Sequence, residues 1–410
     1  MHNASKRARP LRMRLIDARA ETWARTLRDP QSGQHAWDTA RACAAARLRK
    51  RWAARRRGHR RCKRGRCFGR ARCRSTGRTR RAHGRQQRAS AGTPAHDAAA
   101  SDAAAEHCSS GKSAPAALAL RGDLGTHDPS IIESEGQYFL FFTGRGVQTK
   151  RSTDLLNWQR TNPVFAQNPA WIAQQVPGAS DLWAPDISYF GGAFHLYYSA
   201  STFGSNHSCI GHATRASLSA GSWQDRGSVI CSNANGQSDD WNAIDPNLAL
   251  DEQGTPWLTF GSFWSGIKQI KLTNEGARAD AMLRAVAGRP NGGAIEAPFV
   301  VRHCGEYFLF VSFDACCKGA DSTYRIMVGR APTIGGPYLD RAGMALSRGG
   351  GTQLLQGAGS WRGPGHNAVL LGANGDYNVY HAYAASDGHS ELRISELAWD
   401  DAGWPLSAGP

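Results

Sequence analysis

Five segments of this chain share one plan: a small residue or Pro, a polar or acidic residue, an apolar stretch, a Gly-containing turn, and an aromatic-rich strand. The first runs HDPSII (residues 127–132) and then EGQYFLFF (135–142). The second is APDISYF (184–190) followed by GGAFHLYY (191–198), and the third IDPNLAL (244–250) followed by QGTPWLTF (253–260). The fourth is IEAPFVV (295–301) with GEYFLFV (305–311), and the fifth GHNAVL (365–370) with NGDYNVY (374–380). Repetition at such a period is the mark of an array, and missing it misreads the whole fold.

The key polar residue of each unit is Asp128, Asp186, Asp245, Glu296 and His366 in turn. The apolar runs alternate or are continuous, with Gly or Asn-Gly turns between them, which is hairpin chemistry. No long stretch carries a 3.6-residue apolar period. A unit of about 58 residues is enough for a four-stranded antiparallel blade. The fold class is therefore all-β: a five-bladed β-propeller over residues 118–410. A β-sandwich is the alternative. If the first strand of each blade lines the axis, the repeated polar residue sits at one height in every blade, and carboxylates remote in sequence become neighbours. Pro stiffens the chain beside them.

Three carboxylates in one cleft cannot behave alike. Like charge and partial burial raise at least one pKa, while cations and donors keep another ionised. That divergence is what a general acid and a general base working together require. Glu296, between Ala-Ile and Ala-Pro, has an apolar setting that favours its protonated form. Asp128, beside His127 and Ser130, has a polar one that suits a base. Asp245 is placed to orient the acid and tune it. The competing reading is that these acids only cap strand ends or bind a metal. Trp183, Phe263 and Trp264 lie next to these positions, and rings at loop tips stack on sugar faces.

The 118–410 domain is preceded by a different polymer. Residues 1–90 carry 29 of the 50 Lys and Arg and 4 of the 33 Asp and Glu, so the remaining 320 residues are net acidic. Segments 47–61, 63–74 and 78–88 are nearly all Arg, Gly and small residues, a composition that repels itself and buries little. The expectation is a disordered Arg-rich leader, or a translation start placed too early. A nucleic-acid-binding arm is the functional alternative, testable as salt-dependent DNA binding. Zinc at Cys62, Cys67, Cys73, His59 and His83 is disfavoured, since the spacing is no Cys-x2-Cys frame. Residues 91–117 read as an Ala/Ser/Gly/Pro linker. No secretory signal starts at Met1, and no 18-residue apolar run suggests a membrane span. Five Cys fall in the domain (209, 231, 304, 316, 317), an odd number that does not read as a disulfide-stapled fold, although one or two bridges such as Cys209–Cys231 fit an exported protein.

The stretches HDPSII, RSTDLLNW, LWAPDISYF, YYSASTFGSNHSCIGHAT, NAIDPNL, GTPWLTFGSFWSGIK, IEAPF, CCKGADSTYRIMVGR and GPGHNAV together resemble glycoside hydrolase family 43, most closely its arabinan endo-1,5-α-L-arabinosidases. The resemblance spans about residues 122–405 and implies inverting hydrolysis of α-1,5-linked arabinofuranose chains. Carried over, Asp128 is the general base, Glu296 the general acid and Asp245 the pKa modulator. Inversion implies about 6.5–9.5 Å between base and acid carboxyls. The family also implies substrate contacts from Gly204, Asn242, Ala243, Ile244, Ser262, Phe263 and Trp264, and Trp183 is a ligand contact on its position and ring alone. It places His366 beside an axial ion, often calcium, reached largely through water because calcium prefers oxygen. The implied partner is arabinan or an arabino-oligosaccharide, acted on by a monomer with no role for nucleic acid or membrane in the folded domain. Export is expected because the polymer cannot enter a cell, and a cytoplasmic enzyme on imported oligosaccharides is the alternative.

Two further functions compete. One is an exo-acting α-L-arabinofuranosidase or β-xylosidase on the same scaffold, which loops blocking one end of the cleft would favour. The other is a non-catalytic carbohydrate-binding propeller, which would be expected to lack one of the three carboxylates.

Overall fold

The computed structural model describes residues 114–234 and 236–410, and the leader and most of the linker lie outside them. Five sheets account for the fold. Blade I holds β1 (Arg121–Gly122), β2 (Ser130–Ser134), β3 (Gln137–Phe142), β4 (Gln148–Ser152) and β5 (Asn157–Thr161). The short helix α1 (Ala170–Gln175) leads to blade II, made of β6 (Leu182–Phe190), β7 (Ala193–Ala200), β8 (Ser208–Arg215) and β9 (Gln224–Ser232). Blade III is β10 (Asn247–Leu250), β11 (Pro256–Phe260), β12 (Ile267–Lys271) and β13 (Arg284–Ala287). Blade IV is β14 (Ile295–His303), β15 (Glu306–Phe313), β16 (Arg325–Ala331) and β17 (Thr352–Gln356). Blade V is β18 (Trp361–Gly372), β19 (Gly375–Ala384), β20 (Ser390–Trp399) and β21 (Pro405–Ser407). The innermost strands touch in cyclic order, β2 to β6 to β10 to β14 to β18, and β18 returns to β2. The chain is thus the five-bladed propeller that the repeat predicts.

Local chemistry explains the strands. The inner hairpins of blades I, II and IV turn through Glu135-Gly136, Gly191-Gly192 and Cys304-Gly305, all with positive φ, as the two-residue turn that matches strand twist demands. Each blade then buries its apolar faces against its neighbours. Phe141, Leu182, Leu196 and Tyr198 pack between blades I and II, and Val300, Leu309, Ile267 and Val286 between III and IV. The ring closes through residues 116–126. Leu118 N donates to Ile394 O, Leu392 N donates to Leu124 O, and β1 pairs in parallel with β5. One segment therefore stitches blade V to blade I.

The repeat has a sharper form in the structure than in the sequence. Asp128, Ala184, Asp245, Ala297 and His366 all have φ between 46° and 58°, and the first four precede Pro. A non-Gly residue rarely adopts this left-handed region, so five equivalent ones define the register of the array. Blade II is therefore aligned by Ala184 rather than by Asp186, and Glu296 stands one residue before its blade's aligned position. This corrects the expectation that five polar side chains occupy one height.

Asp186 has another task. It aligns with Ser130 and Asn247, two residues further along each inner strand. Its buried carboxylate accepts from Leu248 N at 2.9 Å, Asn247 Nδ2 at 3.1 Å, and the hydroxyls of Ser130 and Ser188 at 3.3 Å each. Asn247 Oδ1 accepts in turn from Val300 N at 2.7 Å. One carboxylate thus ties blades I, II and III, and its neighbour carries the tie to IV. Removing it leaves buried donors without partners, so Asp186→Ala is expected to cost about 3 kcal/mol or more. Urea unfolding of the variant checks this, and a loss below 1 kcal/mol (about the net worth of one ordinary hydrogen bond) would show the tie to be dispensable.

Two disulfides each join a pair of described residues. Cys209–Cys231 joins directly opposed residues of β8 and β9, and Cys316–Cys317 joins chain neighbours in the loop after β15. The sequence allowed one or two bridges: the first is the pair it named, and the second is a pair it did not single out. No helix among the described residues is long and apolar enough to cross a membrane.

Candidate active site

The left-handed residues need their backbone N–H groups satisfied, and the way this is done builds the site. Asp128 N donates to His381 Nδ1 at 3.1 Å, Ala184 N to Thr143 Oγ1 at 2.8 Å, and Asp245 N to Ser199 Oγ at 3.0 Å. Ala297 N donates to Asp245 Oδ2 at 3.1 Å, and His366 N to Ser312 Oγ at 2.9 Å. Every acceptor belongs to the preceding blade. Five inter-blade bonds therefore encircle the axis, with Asp128 and Asp245 held two residues before their inner strands β2 and β10, and Glu296 and His366 within β14 and β18.

Asp128 is buried and crowded with donors. Its Oδ1 lies 2.8 Å from His127 Nδ1 and 3.1 Å from His366 Nδ1, and its Oδ2 accepts from Thr143 Oγ1 at 2.6 Å. Burial opposes the charge, but His127 and His366 outweigh it and hold the carboxyl well below the usual range. Glu296 is buried with weaker support. Its Oε2 accepts from Ser262 Oγ at 2.7 Å, with Tyr324 as a second hydroxyl partner. Burial dominates there, and the charge of Asp128 adds to it, so its pKa is raised. Asp245 is raised too, first by burial and then by Glu296 and Asp128, against the opposing charge of His366. Through its bond to Ala297 N it fixes the peptide next to Glu296. For His366, burial disfavours the imidazolium, yet the charge and hydrogen bond of Asp128, with Asp245 and Glu296 behind them, push it up to about 9.

The remaining expected residues are placed as follows. Asn242, Ala243, Ile244 and Ser262 are buried around Asp245, and Phe263 is half-buried. Trp264 is exposed at a turn where both Phe263 and Trp264 have positive φ, Gly204 is exposed in the β7–β8 loop, and Trp183 is half-buried in β6 beside Ala184. The hydroxyl of Ser262 is committed to Glu296 rather than left free for a ligand. Sequence reasoning passed over Thr143, Ser199, Tyr324, His381 and Tyr383. Tyr324 lies in the quoted CCKGADSTYRIMVGR stretch, but nothing local marks it as the partner of Glu296.

For a cation, the surroundings of His366 offer one carboxylate oxygen within hydrogen-bond reach, whereas calcium takes six to eight oxygens. A ring that keeps its proton in this carboxylate field is also a poor inner ligand. The residues fit an ion that brings its own water and is held by the surrounding negative charge. His127, Asp128 and His381 approach one another closely enough to ligate a metal, but His381 Nδ1 is already occupied by the Asp128 N–H.

Buried carboxylates of diverging pKa on a rigid ring are an acid–base arrangement, and the family model for glycosyl hydrolases family 43 matches residues 123–405. The chain belongs to glycoside hydrolase family 43. It is 44% identical over 301 residues to the extracellular endo-α-(1→5)-L-arabinanase 1 of Bacillus subtilis, covering 71% of this chain and 91% of that one. It is 39% identical to the extracellular exo-α-(1→5)-L-arabinofuranosidase ArbA of Cellvibrio japonicus, over 69% of this chain and 86% of that one. Among solved structures, the family 43 endo-arabinanase of Bacillus licheniformis matches with a TM-score of 0.67 at 46% identity, covering 70% of this chain and 99% of that one. The Cellvibrio cellulosa α-L-arabinanase complexed with arabinohexaose matches with the same TM-score at 39% identity, over 70% of this chain and 96% of that one. This family 43 chain is a glycoside hydrolase with a propeller catalytic domain.

Proposed function

We propose that this hydrolase cleaves internal α-1,5-L-arabinofuranosidic bonds of arabinan with inversion. Asp128 is the general base that takes a proton from the attacking water, and Glu296 the general acid that gives one to the leaving oxygen. Asp245 is the pKa modulator: it holds the peptide beside Glu296 and crowds the acid with a second buried carboxyl. The single observation behind these roles is the contrast between the two carboxylates: two imidazoles and a hydroxyl bond to Asp128, whereas the hydrogen-bond partners of Glu296 are hydroxyls, with His366 acting on it only through its charge. Environments that push two pKa values apart assign the acid and the base.

Substrate identity rests on the named activities of the relatives, including the hexasaccharide complex, and endo action on the Bacillus subtilis and Bacillus licheniformis enzymes. Exo action keeps a specific support in the Cellvibrio relative. The two differ in how a linear polymer loses length. Debranched arabinan should lose most of its viscosity while few reducing ends have formed, and its first products should span several chain lengths. A steady release of one short product at nearly constant viscosity would establish the exo reading instead. Proton NMR of the first-formed reducing ends should show the β-anomer, and an α-anomer would remove inversion.

The naming of both curated relatives as extracellular supports work outside the cell. A hydrated calcium ion at His366, if bound, would add positive charge beside the carboxylates, and no step here depends on it. Residues 118–410 are proposed to suffice for catalysis as a monomer.

A further inference from the structure

The general base is braced by its neighbour in the chain. His127 precedes Asp128 and turns its Nδ1 to Asp128 Oδ1. Its other nitrogen, Nε2, lies 2.7 Å from the hydroxyl of Tyr383. That hydroxyl accepts the backbone N–H of Cys317 at 3.0 Å. Tyr383 and His381 sit two apart on β19 and so project from one face of the strand. His381 stacks on the His127 ring with centroids 4.0 Å apart, while Tyr383 meets it edge-on. The ring is therefore held by one stacked neighbour and one hydrogen bond, both from blade V.

The directions of the bonds matter. A tyrosine hydroxyl has one proton, and a peptide N–H can only donate. With its oxygen taking both the Cys317 N–H and the Ser322 hydroxyl, Tyr383 gives its own proton to His127 Nε2. Nε2 is then an acceptor, the ring proton sits on Nδ1, and it points at Asp128. Which nitrogen carries the proton is set by the bond the other one makes. The terminus of this chain is unusual. Cys316 and Cys317 are joined by a disulfide that closes a small ring through the very peptide whose N–H reaches Tyr383. Cys317 has φ 65°, a left-handed value that a non-Gly residue leaves unless held. Cys317 is exposed, so the bridge is open to solutes.

We propose that the Cys316–Cys317 disulfide and Tyr383 form a positioning element that acts through His127 on Asp128, and that a dithiol reductant disarms it. The proposal rests on the reading of Asp128 as the base. Reduction delivers two electrons and two protons to the sulfurs, breaks the S–S bond, and leaves two thiols and the oxidised cyclic dithiol. Cys317 is then released from its left-handed conformation and its N–H leaves Tyr383. The Tyr383 oxygen then has a free acceptor position for a proton on His127 Nε2, and His127 becomes free to present an unprotonated Nδ1 to the carboxylate.

Five proteins test this on linear arabinan: wild type, Tyr383→Phe, the double variant Cys316→Ala/Cys317→Ala, the combination of those changes, and Asp128→Asn. Tyr383→Phe and the double cysteine variant should each lose about tenfold in kcat, a part of the whole worth of a general base. KM should stay within about twofold, because the element acts through His127 on the base. Combining the two changes should add little, since both interrupt one path. Dithiothreitol should bring the wild type down to the rate of the double cysteine variant and leave that variant unaffected. Wild-type kcat in Tyr383→Phe overturns the proposal, as does a loss confined to KM. Dithiothreitol slowing the double cysteine variant as much as the wild type overturns it too. Asp128→Asn separates the two readings. If it stays active, Asp128 is not the base. If it is inactive while Tyr383→Phe is normal, only the positioning element fails.

Discussion

Glu296→Gln is expected to hydrolyse linear arabinan about 10²–10⁴-fold more slowly than the wild type, with an unchanged unfolding midpoint. The leaving group in a polysaccharide is the alkoxide of the next sugar, a strong base that departs only with a proton. Glu296 is placed to supply it: burial and the charge of Asp128 raise its pKa, and the Ser262 and Tyr324 hydroxyls orient it. Gln keeps the shape and accepts the Ser262 hydrogen bond, but its amide cannot act as an acid. The same change should cost far less on an aryl arabinotrioside, whose phenolate leaves unaided. Equal losses on both substrates would mean that Glu296 does something other than protonate the leaving oxygen.

How far the site was legible can be argued from particular residues. The strands, their hairpin turns and the five-fold count were open to inspection because they are local: alternation, Gly pairs and X-Pro steps recur within a few residues. Asp128, Asp245 and Glu296 came with them, since they stand at or beside the X of those steps. Asp186 shows the limit. It looks equivalent to the other three acids, and the second residue of backbone displacement that makes it an inter-blade tie is visible only once φ places Ala184 in its stead. Thr143, Ser199, Ser312 and His381 were illegible for another reason. Each serves the next blade around the ring, so the residue and its partner are separated by tens to hundreds of positions, and nothing near them in sequence records the contact. The disulfide between Cys316 and Cys317 escaped because counting cysteines says nothing about neighbours that pair with each other.

Asp128→Asn is expected to be the other variant with almost no turnover, again by about 10²–10⁴-fold, and it should still bind substrate. The carboxylate is the only group among its close contacts that can take a proton from water while ionised at neutral pH. His127 and His366 are its donors, and His381 Nδ1 is bonded to the Asp128 backbone. Asn preserves size but offers one acceptor where Asp128 offers two, and it has no basicity. The pH profile of the wild type follows from the same two residues. Asp128 must be ionised, so the rate falls as pH drops through its lowered pKa. Glu296 must be protonated, so the rate falls again as pH rises through its raised one. The result is a plateau between the two limbs, and each limb should vanish with its own residue: the residual activity of Asp128→Asn should lack the acid limb and keep the alkaline one, while Glu296→Gln should do the reverse. An Asp128→Asn enzyme that retains the acid limb would assign that limb, and the base, to another group.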